Sequence, residues 1–311
     1  MEIAIIGRGE SLYNTALKLL KDGHNIPLIV TSKAPEDYLI KENHYSELAK
    51  KNNSYFINTH NINNPKIYEN FSNLKMDFAF SVNYSGIIGN KFINLFKICV
   101  LNAHAGDLPK YRGNACLAWA MINKEKKIGL CIHKMIPDEL DSGDIVAREY
   151  KEINTNTRIK SLFDWQTKTI PLLFENALKT LQKQPNYFLE SQDNSKIKPS
   201  RGYPRTELDL IIDWKKQPED FVIHINVSSE PFKGAYTFLN GKKIIFWRCE
   251  IFEDDEVFYA KEGQILKIND DKSIIVALKN GKVKVIEIGY EDKRIKPGEF
   301  FKSIRQRFQN K

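Results

Sequence analysis

The sequence predicts an α/β N-terminal domain, a Rossmann-like, doubly wound and mostly parallel sheet, followed by a small β-rich, OB-like C-terminal domain. Strands and helices alternate through the first 185 residues, which is the pattern of a doubly wound sheet. A polar, aperiodic segment with Pro and Gly follows and is typical of a linker. Short strands with hairpin signals come after it. We therefore predict a first domain at 1–185, a linker at 186–205 and a second domain at 206–311.

Apolar residues of the N-terminal domain occur either in short runs or at helical spacing. Leu12, Ala16, Leu19 and Leu20 share one face of a helix that Gly23 ends. Pro171 lies in another helical stretch and predicts a break or a kink there. The predicted strands cover 2–7, 26–32, 54–59, 75–83, 97–104, 129–136 and 144–153. The predicted helices cover 10–24, 36–53, 89–97 and 158–182.

Hairpin signals dominate the C-terminal domain. A short helix begins near Asp213, and strand-rich sequence continues from there to Tyr290. Asn240-Gly241 and Asn280-Gly281 predict two-residue turns, because both residue types tolerate a positive φ. We expect a small antiparallel sheet or barrel.

The composition is that of an ordinary globular protein, with 42% hydrophobic and 28% charged residues among 311. No run of about 18 apolar residues occurs, so we expect neither a transmembrane helix nor a membrane partner. The N-terminal stretch predicts a first strand and not a signal peptide, because no basic region precedes its short apolar run. The four cysteines lack Cys-x-x-Cys spacing, which argues against a zinc site or a disulfide framework. A reducing cytoplasm is the expected location.

The net charge of +8 favours an anionic partner, such as a phosphate, a nucleotide, a polycarboxylate or RNA. Lysine is also a common solubilising residue, so charge alone does not decide for nucleic acid. The stretch from Gly7 to Leu12 lacks the third glycine of a dinucleotide-binding fingerprint. Arg8 and the backbone as far as Ser11 are candidates for contact with an anion at a helix N-terminus.

Asn102 and His104 stand two residues apart at the end of a predicted strand. Such residues point to the same side of a strand, and ligands of open α/β sheets bind at the carboxyl ends of strands. The amide of Asn102 can donate to a developing oxyanion, and His104 can accept a proton near neutral pH. A capped loop with a surface histidine is the alternative for this pair taken alone.

Asp141 lies in a tight Ser-Gly turn between two predicted strands. A carboxylate held on such a loop can orient an imidazole and stabilise its cationic form. The sequence Asp-Ser-Gly-Asp is also a common turn, and we assign Ser142 and Asp144 to turn formation.

Together these motifs resemble the formyltransferase family that uses 10-formyltetrahydrofolate. The family signature is Asn-x-His, then Leu-Pro-x-x-Arg-Gly, then Asp-x-Gly-x-Ile, and all three occur here in that order, beginning at Asn102, Leu108 and Asp141. The resemblance covers most of the chain and is weakest after about Glu250. It implies that 1–185 is the catalytic domain and that Asn102, His104 and Asp141 are the catalytic residues.

The same resemblance implies a folate site on two loops, formed largely by backbone groups. The implied co-substrate is N10-formyltetrahydrofolate, and the family requires no metal. We expect His133 to be a strand residue near the site. The candidate folate-binding residues are Asn83, Tyr84, Gly86, Ile87, Ile88, Asp138, Glu139 and Leu140.

Two acceptors compete within the family, methionyl-tRNA and a nucleotide-linked amino sugar. His104 is followed by Ala-Gly-Asp-Leu-Pro, which resembles the sugar enzymes, whereas the tRNA enzymes typically carry Pro-Ser-Leu-Leu-Pro there. The tRNA enzymes also have a Gly-rich, basic insertion after the second strand, where this chain has a short stretch of mixed charge. We therefore favour formyl transfer to a dTDP-, UDP- or GDP-linked amino sugar, for surface polysaccharide such as the lipopolysaccharide O-antigen.

Methionyl-tRNA is the alternative acceptor, favoured by the net charge and by the basic C-terminal tail. Another folate-dependent formyl transfer or hydrolysis, and a catalytically silent module that binds RNA, are further alternatives. Under the favoured hypothesis no nucleic-acid partner is expected, and the family resemblance implies a homodimer through C-terminal strands. The candidate acceptor-binding residues are Arg8, Ser11, Lys110, Tyr111, Arg112 and Asn114.

Overall fold

Residues 1–192 and 197–309 are described by a computed structural model, and they form two compact units. The N-terminal unit comprises Met1–Cys116, Lys127–Lys151 and Phe163–Tyr203. The C-terminal unit comprises Leu117–Lys126, Glu152–Leu162 and the chain from Pro204 onward. Residues 193–196 of the predicted linker and residues 310–311 of the predicted second domain lie outside the described residues.

The elements from Met1 to Tyr203 alternate between strands and helices. The strands are β1 (Ile3–Gly7), β2 (Leu28–Thr31), β3 (Tyr55–Asn58), β4 (Met76–Val82), β5 (Phe96–His104), β6 (Arg112–Gly113), β7 (Lys127–Lys134), β8 (Ile145–Glu152) and β9 (Arg201–Gly202). The helices are α1 (Glu10–Lys21), α2 (Glu42–Lys51), α3 (Pro65–Glu69), α4 (Asn90–Ile93), α5 (Cys116–Ile122) and α6 (Ile159–Lys183).

Seven of these strands form one sheet in the order β3-β2-β1-β4-β5-β7-β8. The strands from β3 to β5 are parallel, and β7 runs antiparallel to β5. The strand order reverses direction between β1 and β4, which is the switch point of a doubly wound sheet. The predicted fold class of the N-terminal domain is confirmed.

Both faces of the sheet are buried. Alternate residues of a strand point to opposite faces, and every residue of β1 is buried. Ile3, Ile5 and Phe80 belong to the core on one face, where Phe80 stacks on Phe174 of α6 at a ring distance of 4.4 Å. Ala4 and Ile6 belong to the core on the other face. The sheet therefore has an apolar core on each of its two faces.

Two predicted helix boundaries are wrong for tertiary reasons. The second helix begins at Glu42 and not at residue 36. Tyr38 lies in a turn before the helix, because its ring packs against Gly9. A Cβ atom on Gly9 would lie 2.9 Å from the Tyr38 ring. The third predicted helix, at 89–97, shortens to the single turn α4, and β5 begins at Phe96.

Helix α6 continues through Pro171, so the helix does not break at that residue, and the alternative that we predicted there, a kink, stays a prediction. Proline removes one backbone hydrogen bond from a helix. Ile170, Leu173 and Phe174 are each less than 5% exposed, and their burial on both sides of Pro171 holds the helix together. The short helices α3 and α5 were not expected from the sequence.

The C-terminal unit is built on an antiparallel sheet. Its strands and main helices are α7 (Pro218–Ser228), β10 (Ala235–Leu239), β11 (Lys242–Phe252), β12 (Ile265–Ile268), β13 (Ile274–Leu278), β14 (Gly281–Tyr290), β15 (Lys293–Ile295) and α8 (Pro297–Phe300). The strands pair in the order β10-β11-β14-β13-β12, and β15 pairs with β14. The predicted β-rich second domain is confirmed.

The two predicted hairpin turns fall at or next to their expected positions. Asn240 and Gly241 both have a positive φ between β10 and β11, as a two-residue turn of the type favoured in hairpins requires. Leu278 pairs with Gly281, so the second turn consists of Lys279 and Asn280, one residue earlier than predicted.

An aromatic cluster fills the core of the C-terminal unit. Trp214 stacks on Phe308 at a ring distance of 5.3 Å, and Phe246 meets both rings edge-on.

Among the described residues, no helix combines the length and the apolar composition needed to cross a membrane.

The predicted boundaries at residues 185 and 206 stay a prediction, but the described residues between them belong to the N-terminal unit as far as Tyr203. Strand β9 pairs with β6, and the carbonyl oxygen of Ser200 accepts a hydrogen bond from the Arg112 N–H at 2.8 Å. This segment therefore reaches the loop that follows His104.

Candidate active site

Strand register places three polar residues side by side at the end of the sheet. Ser81 of β4 pairs with Asn102 of β5, which in turn pairs with His133 of β7. Paired residues on neighbouring strands point to the same face, and His104 shares that face because it lies two residues after Asn102. The predicted pair is therefore completed by a histidine that comes from the antiparallel neighbour.

Asn102 and His133 are joined by a hydrogen bond of 3.1 Å between Nδ2 and Nε2. His133 Nδ1 lies 3.0 Å from the carbonyl oxygen of Lys134, so Nδ1 carries the proton and Nε2 accepts from Asn102. An amide nitrogen has two donors, and among the described residues the second N–H of Asn102 has no acceptor, which leaves it for a ligand.

His104 lies between two oxygen acceptors and is only 7% exposed. Its Nε2 is 2.6 Å from the carbonyl oxygen of Tyr111, and its Nδ1 is 3.5 Å from Asp141 Oδ2. The short contact requires the proton on Nε2, which leaves Nδ1 of the neutral ring as the proton acceptor beside the carboxylate.

Asp141 faces both histidines and is 8% exposed. Its Oδ1 is 3.5 Å from His133 Nε2, and its Oδ2 accepts the N–H of Gly113 at 2.8 Å. The backbone of Asp141 has φ of 52°, in the left-handed region that costs energy for a residue with a side chain. We call Asn102, His104, His133 and Asp141 the strand-end cluster.

Burial and charge shift the pKa values of this cluster in a consistent way. Burial lowers the pKa of His104, and Asp141 and the Tyr111 carbonyl oppose that effect without cancelling it. Burial acts to raise the pKa of Asp141, but His104, His133 and the Gly113 N–H outweigh it and hold the pKa well below its usual range. At neutral pH the cluster therefore holds a neutral His104 beside an ionised carboxylate.

The first predicted folate loop is fastened to the loop that follows β3. The Tyr84 hydroxyl donates to the carbonyl oxygen of Thr59 at 3.0 Å, and Asn63 hydrogen-bonds the backbone of both Ile87 and Gly89. Ile88 is buried, whereas Ile87 is 77% exposed and Asn83 is exposed with a positive φ. The loop thus presents an apolar side chain and strained backbone at the carboxyl end of β4.

The second predicted folate loop follows β7. Asp138 has a positive φ and is exposed, and Glu139 forms a bridge back to Ile136. Leu140 is 50% exposed and directly precedes Asp141. An exposed apolar residue therefore stands next to the strand-end cluster on this side as well.

The predicted acceptor residues fall into three groups. Lys110 and Asn114 are exposed on the loop after His104, whereas Tyr111 and Arg112 of the same loop are buried. Arg8 follows β1, two strands away from β5, and donates from NH1 to the carbonyl oxygen of Lys33 at 2.6 Å. The partly buried Ser11 lies in the first turn of α1, beyond Arg8. Within residues 1–192 and 197–309, no group of three His, Cys, Asp or Glu side chains is arranged to hold a metal ion.

Comparison with known families identifies the family of this chain. The family model described as formyl transferase matches residues 1–168, and the model described as formyl transferase, C-terminal domain, matches residues 206–305. The chain belongs to the formyl transferase family. The predicted family is confirmed.

Two relatives of this formyl transferase illustrate the range of its family. The bifunctional polymyxin resistance protein ArnA of Wigglesworthia glossinidia brevipalpis is 27% identical over 94% of this chain, which spans 43% of the length of that relative. The methionyl-tRNA formyltransferase of Caldanaerobacter subterraneus subsp. tengcongensis is 26% identical over 94% of both chains.

Among solved structures, WlaRD, a sugar 3N-formyl transferase determined with dTDP and 5-N-formyl-THF, superposes with a TM-score of 0.67. The sequences are 20% identical, and the match covers 94% of this chain and 98% of WlaRD. At that level of identity the likeness concerns the fold.

The signature Arg-Gly of the family is tied to Asp141 through a residue that sequence reasoning missed. Arg112 donates from Nε and NH2 to Oε1 of Gln192, and Gln192 Nε2 donates to the carbonyl oxygens of Asp141 and Gly143. Gln192 lies in the predicted linker, where nothing in its local pattern distinguishes it from a solvated glutamine.

Two more contributors to the site were missed, Gly106 and Cys116. A Cβ atom on Gly106 would lie 2.5 Å from the Tyr111 carbonyl oxygen and 2.6 Å from His104 Nε2, so only glycine fits beside the imidazole. Cys116 Sγ donates to the same carbonyl oxygen at 2.8 Å, and burial raises the pKa of this thiol to about 12, which keeps it protonated. The glycine directly after His-Ala was the available signal for the close approach.

Proposed function

We propose that this protein transfers the formyl group of N10-formyltetrahydrofolate to the primary amine of a nucleotide-linked amino sugar. The observation that carries the proposal is the strand-end cluster, in which an amide donor, a neutral imidazole and an ionised carboxylate meet at the end of β5. In a formyl transferase these are the groups needed to stabilise an oxyanion and to accept a proton.

Asn102 is the proposed oxyanion donor. When an amine attacks the formyl carbon, negative charge develops on the formyl oxygen, and a fixed N–H stabilises that charge. The hydrogen bond to His133 fixes the Asn102 amide and leaves its second N–H for this oxygen. The donor is therefore oriented before the substrates arrive.

His104 is the proposed proton acceptor, with Asp141 as its counter-ion. The attacking amine becomes cationic and must lose a proton, which neutral His104 takes on Nδ1. The imidazolium that results then faces Asp141 Oδ2 on one side and the Tyr111 carbonyl oxygen on the other. Asp141 thus stabilises the charge that His104 gains, and the pair returns a proton when the folate nitrogen leaves.

The loops 83–88 and 138–140 are the proposed folate site. Ile87 and Leu140 expose apolar side chains there, and a pterin ring would cover such surface while it hydrogen-bonds to backbone groups. The structural relative WlaRD was determined with 5-N-formyl-THF, which supports the same donor class for this chain.

The distribution of charge supports a sugar acceptor over tRNA. Residues 206–311 contain 19 Lys and Arg and 18 Asp and Glu, so the second domain is nearly neutral. Residues 1–205 contain 28 basic and 21 acidic residues and therefore carry most of the +8. A domain that follows tRNA phosphates would need a basic surface, whereas a nucleotide diphosphate needs only a few cations near the site.

Lys110, Arg8 and the backbone near Ser11 are the proposed contacts for that diphosphate. Asn114, exposed on the loop after His104, is proposed to contact the sugar. The predicted contacts of Tyr111 and Arg112 with the acceptor stay predictions, because the contacts described for these residues hold the loop together.

Methionyl-tRNA is the second candidate acceptor. The relative from Caldanaerobacter carries that activity in its name and matches 94% of both chains, so length does not distinguish the two acceptors. The decisive experiment offers N10-formyltetrahydrofolate with a panel of dTDP-, UDP- and GDP-linked amino sugars and, separately, with initiator methionyl-tRNA.

We expect one nucleotide sugar to gain the mass of one carbonyl group, with release of tetrahydrofolate and no product on the tRNA. Formylation of the tRNA alone, with binding that weakens steeply as salt rises, would assign the alternative acceptor. Folate turnover with no acceptor on the panel would point to hydrolysis.

Surface-polysaccharide synthesis in the cytoplasm is the role that we propose for a sugar acceptor. The homodimer through C-terminal strands stays a prediction. Strand β10 covers β11 only as far as Phe246, and β11 continues to Phe252, so part of one edge of β11 is not covered by β10. Light scattering of the purified chain tests the dimer directly.

A further inference from the structure

Gln192 uses every hydrogen-bonding position of its side-chain amide within the site. Its Oε1 accepts from Arg112 Nε at 3.2 Å and from Arg112 NH2 at 2.9 Å. Its Nε2 donates to the carbonyl oxygen of Asp141 at 2.9 Å and to that of Gly143 at 2.8 Å. An amide offers two acceptor and two donor positions, so this side chain is saturated.

Only one orientation of the amide is compatible with these partners. A flipped Gln192 would turn its NH2 group toward the guanidinium of Arg112 and its oxygen toward two carbonyl oxygens. The side chain is also 7% exposed, so water does not substitute for a lost partner without rearrangement. Gln192 therefore joins two specific groups and does not merely fill space.

The two groups that Gln192 joins both bear on Asp141. The Asp141 backbone is strained, with φ of 52°, and such a conformation persists only where the surroundings determine it. Gly113, directly after Arg112, donates its N–H to the Asp141 carboxylate. Gln192 thus holds the Asp141 backbone directly. Through Arg112 it also positions Gly113, whose N–H holds the Asp141 carboxylate.

We infer that Gln192 is a positioning residue for Asp141 and, through Asp141, for His104. The inference rests on the proposed role of the strand-end cluster in formyl transfer. The hydrogen bonds of Gln192 go to Arg112, Asp141 and Gly143 and not to His104, so Gln192 acts by keeping the carboxylate 3.5 Å from the imidazole.

Two substitutions distinguish the hydrogen bonds of Gln192 to Arg112 from those to Asp141 and Gly143. Gln192→Met keeps the length of the side chain and removes all four hydrogen bonds. Gln192→Glu keeps an acceptor for Arg112 but replaces the donors to Asp141 and Gly143 with a carboxylate oxygen. The matched control is Gln166→Met, since Gln166 lies in α6 of the same unit and is also 7% exposed.

We expect kcat to fall about 10- to 100-fold in both Gln192 variants, because a displacement of about 1 Å in a catalytic group costs that much. The Gln166→Met enzyme should keep its kcat. In Gln192→Met the acid limb of kcat/KM should also move to lower pH, since a displaced Asp141 no longer raises the pKa of His104. A loss of stability without that shift would show that Gln192 is only structural.

Hydrogen exchange provides a readout that needs no acceptor. The Gly113 amide should exchange at least about 10-fold faster in Gln192→Met than in the wild type or in Gln166→Met, because its acceptor is Asp141. Unchanged exchange at Gly113 would overturn the inference, whatever the kinetics. If the wild type turns over no acceptor, the proposed function fails, and the exchange result still decides whether Gln192 holds Asp141.

Discussion

Gly113 donates its backbone N–H to Asp141 Oδ2 at 2.8 Å, although 28 positions of sequence separate the two residues. The two signature segments of the family, Arg-Gly and Asp-x-Gly, are therefore parts of one hydrogen-bonded assembly. Their co-occurrence has a physical reason, because the backbone of one segment holds the carboxylate of the other in front of His104.

Replacing Asp141 with Asn should lower kcat by about 100-fold or more, because the imidazolium of His104 loses its ionised partner in a buried site. The amide has nearly the same size, so the fold is expected to survive. Steady-state kinetics with the identified acceptor measure the effect, with Asp144→Asn as the control. Near-normal kcat in Asp141→Asn would remove Asp141 from the mechanism.

Stability of the Asp141→Asn variant should depend on pH in a defined direction. The pKa of Asp141 is held below its unfolded value of about 3.9, so its ionised form stabilises the folded state above that pH. The advantage of the wild type over the variant should therefore be present at neutral pH and shrink as pH falls below about 4. Urea unfolding of both proteins at several pH values checks this, and a difference that grows below pH 4 contradicts the assignment.

The acid limb of kcat/KM should report His104. Burial lowers the pKa of His104, so the neutral ring persists below its ordinary value of about 6.5 and activity should fall only at lower pH. In Asp141→Asn the limb should move further toward acid, since Asp141 is the neighbour that raises this pKa. Near-normal turnover by His104→Asn would show that another group accepts the proton.

Gly106→Ala should impair catalysis through His104. The added methyl group would lie 2.6 Å from His104 Nε2 and 2.5 Å from the Tyr111 carbonyl oxygen, so the ring has to move. We expect kcat to fall about 10- to 100-fold and stability to fall by about 1–3 kcal/mol. Gly241→Ala, at a hairpin where a Cβ atom meets nothing within 4 Å, should affect stability alone.

His133→Phe should lower kcat by about 5-fold, because Asn102 then loses the hydrogen bond that orients its amide, and such a bond is worth about 1 kcal/mol. His224→Phe is the control, since His224 is also a buried histidine but lies in α7 of the C-terminal unit. Equal effects of the two substitutions on kcat would mean that His133 contributes only packing.

Local patterns predicted the strand–helix alternation and the β-rich second half, because the spacing of apolar residues already determines which face of each element is buried. The same patterns erred at the start of α2, and of the two outcomes predicted at Pro171 the break does not occur, because packing outweighs propensity there. Contacts with residues distant in the sequence stabilise both regions. Tyr38 packs against Gly9, and α6 packs against the core of the sheet.

Sequence patterns were sufficient to predict the family, the doubly wound sheet and the location of Asn102 and His104 on one side of β5. The contact of His133 with Asn102, and the position of Gln192 between Arg112 and Asp141, are visible only in the folded chain. The contact between His133 and Asn102 depends on the pairing of β7 with β5. The contact between Gln192 and Asp141 joins residues that are 51 positions apart in the sequence. Such contacts depend on register and on loop packing, and no local spacing of residues encodes them.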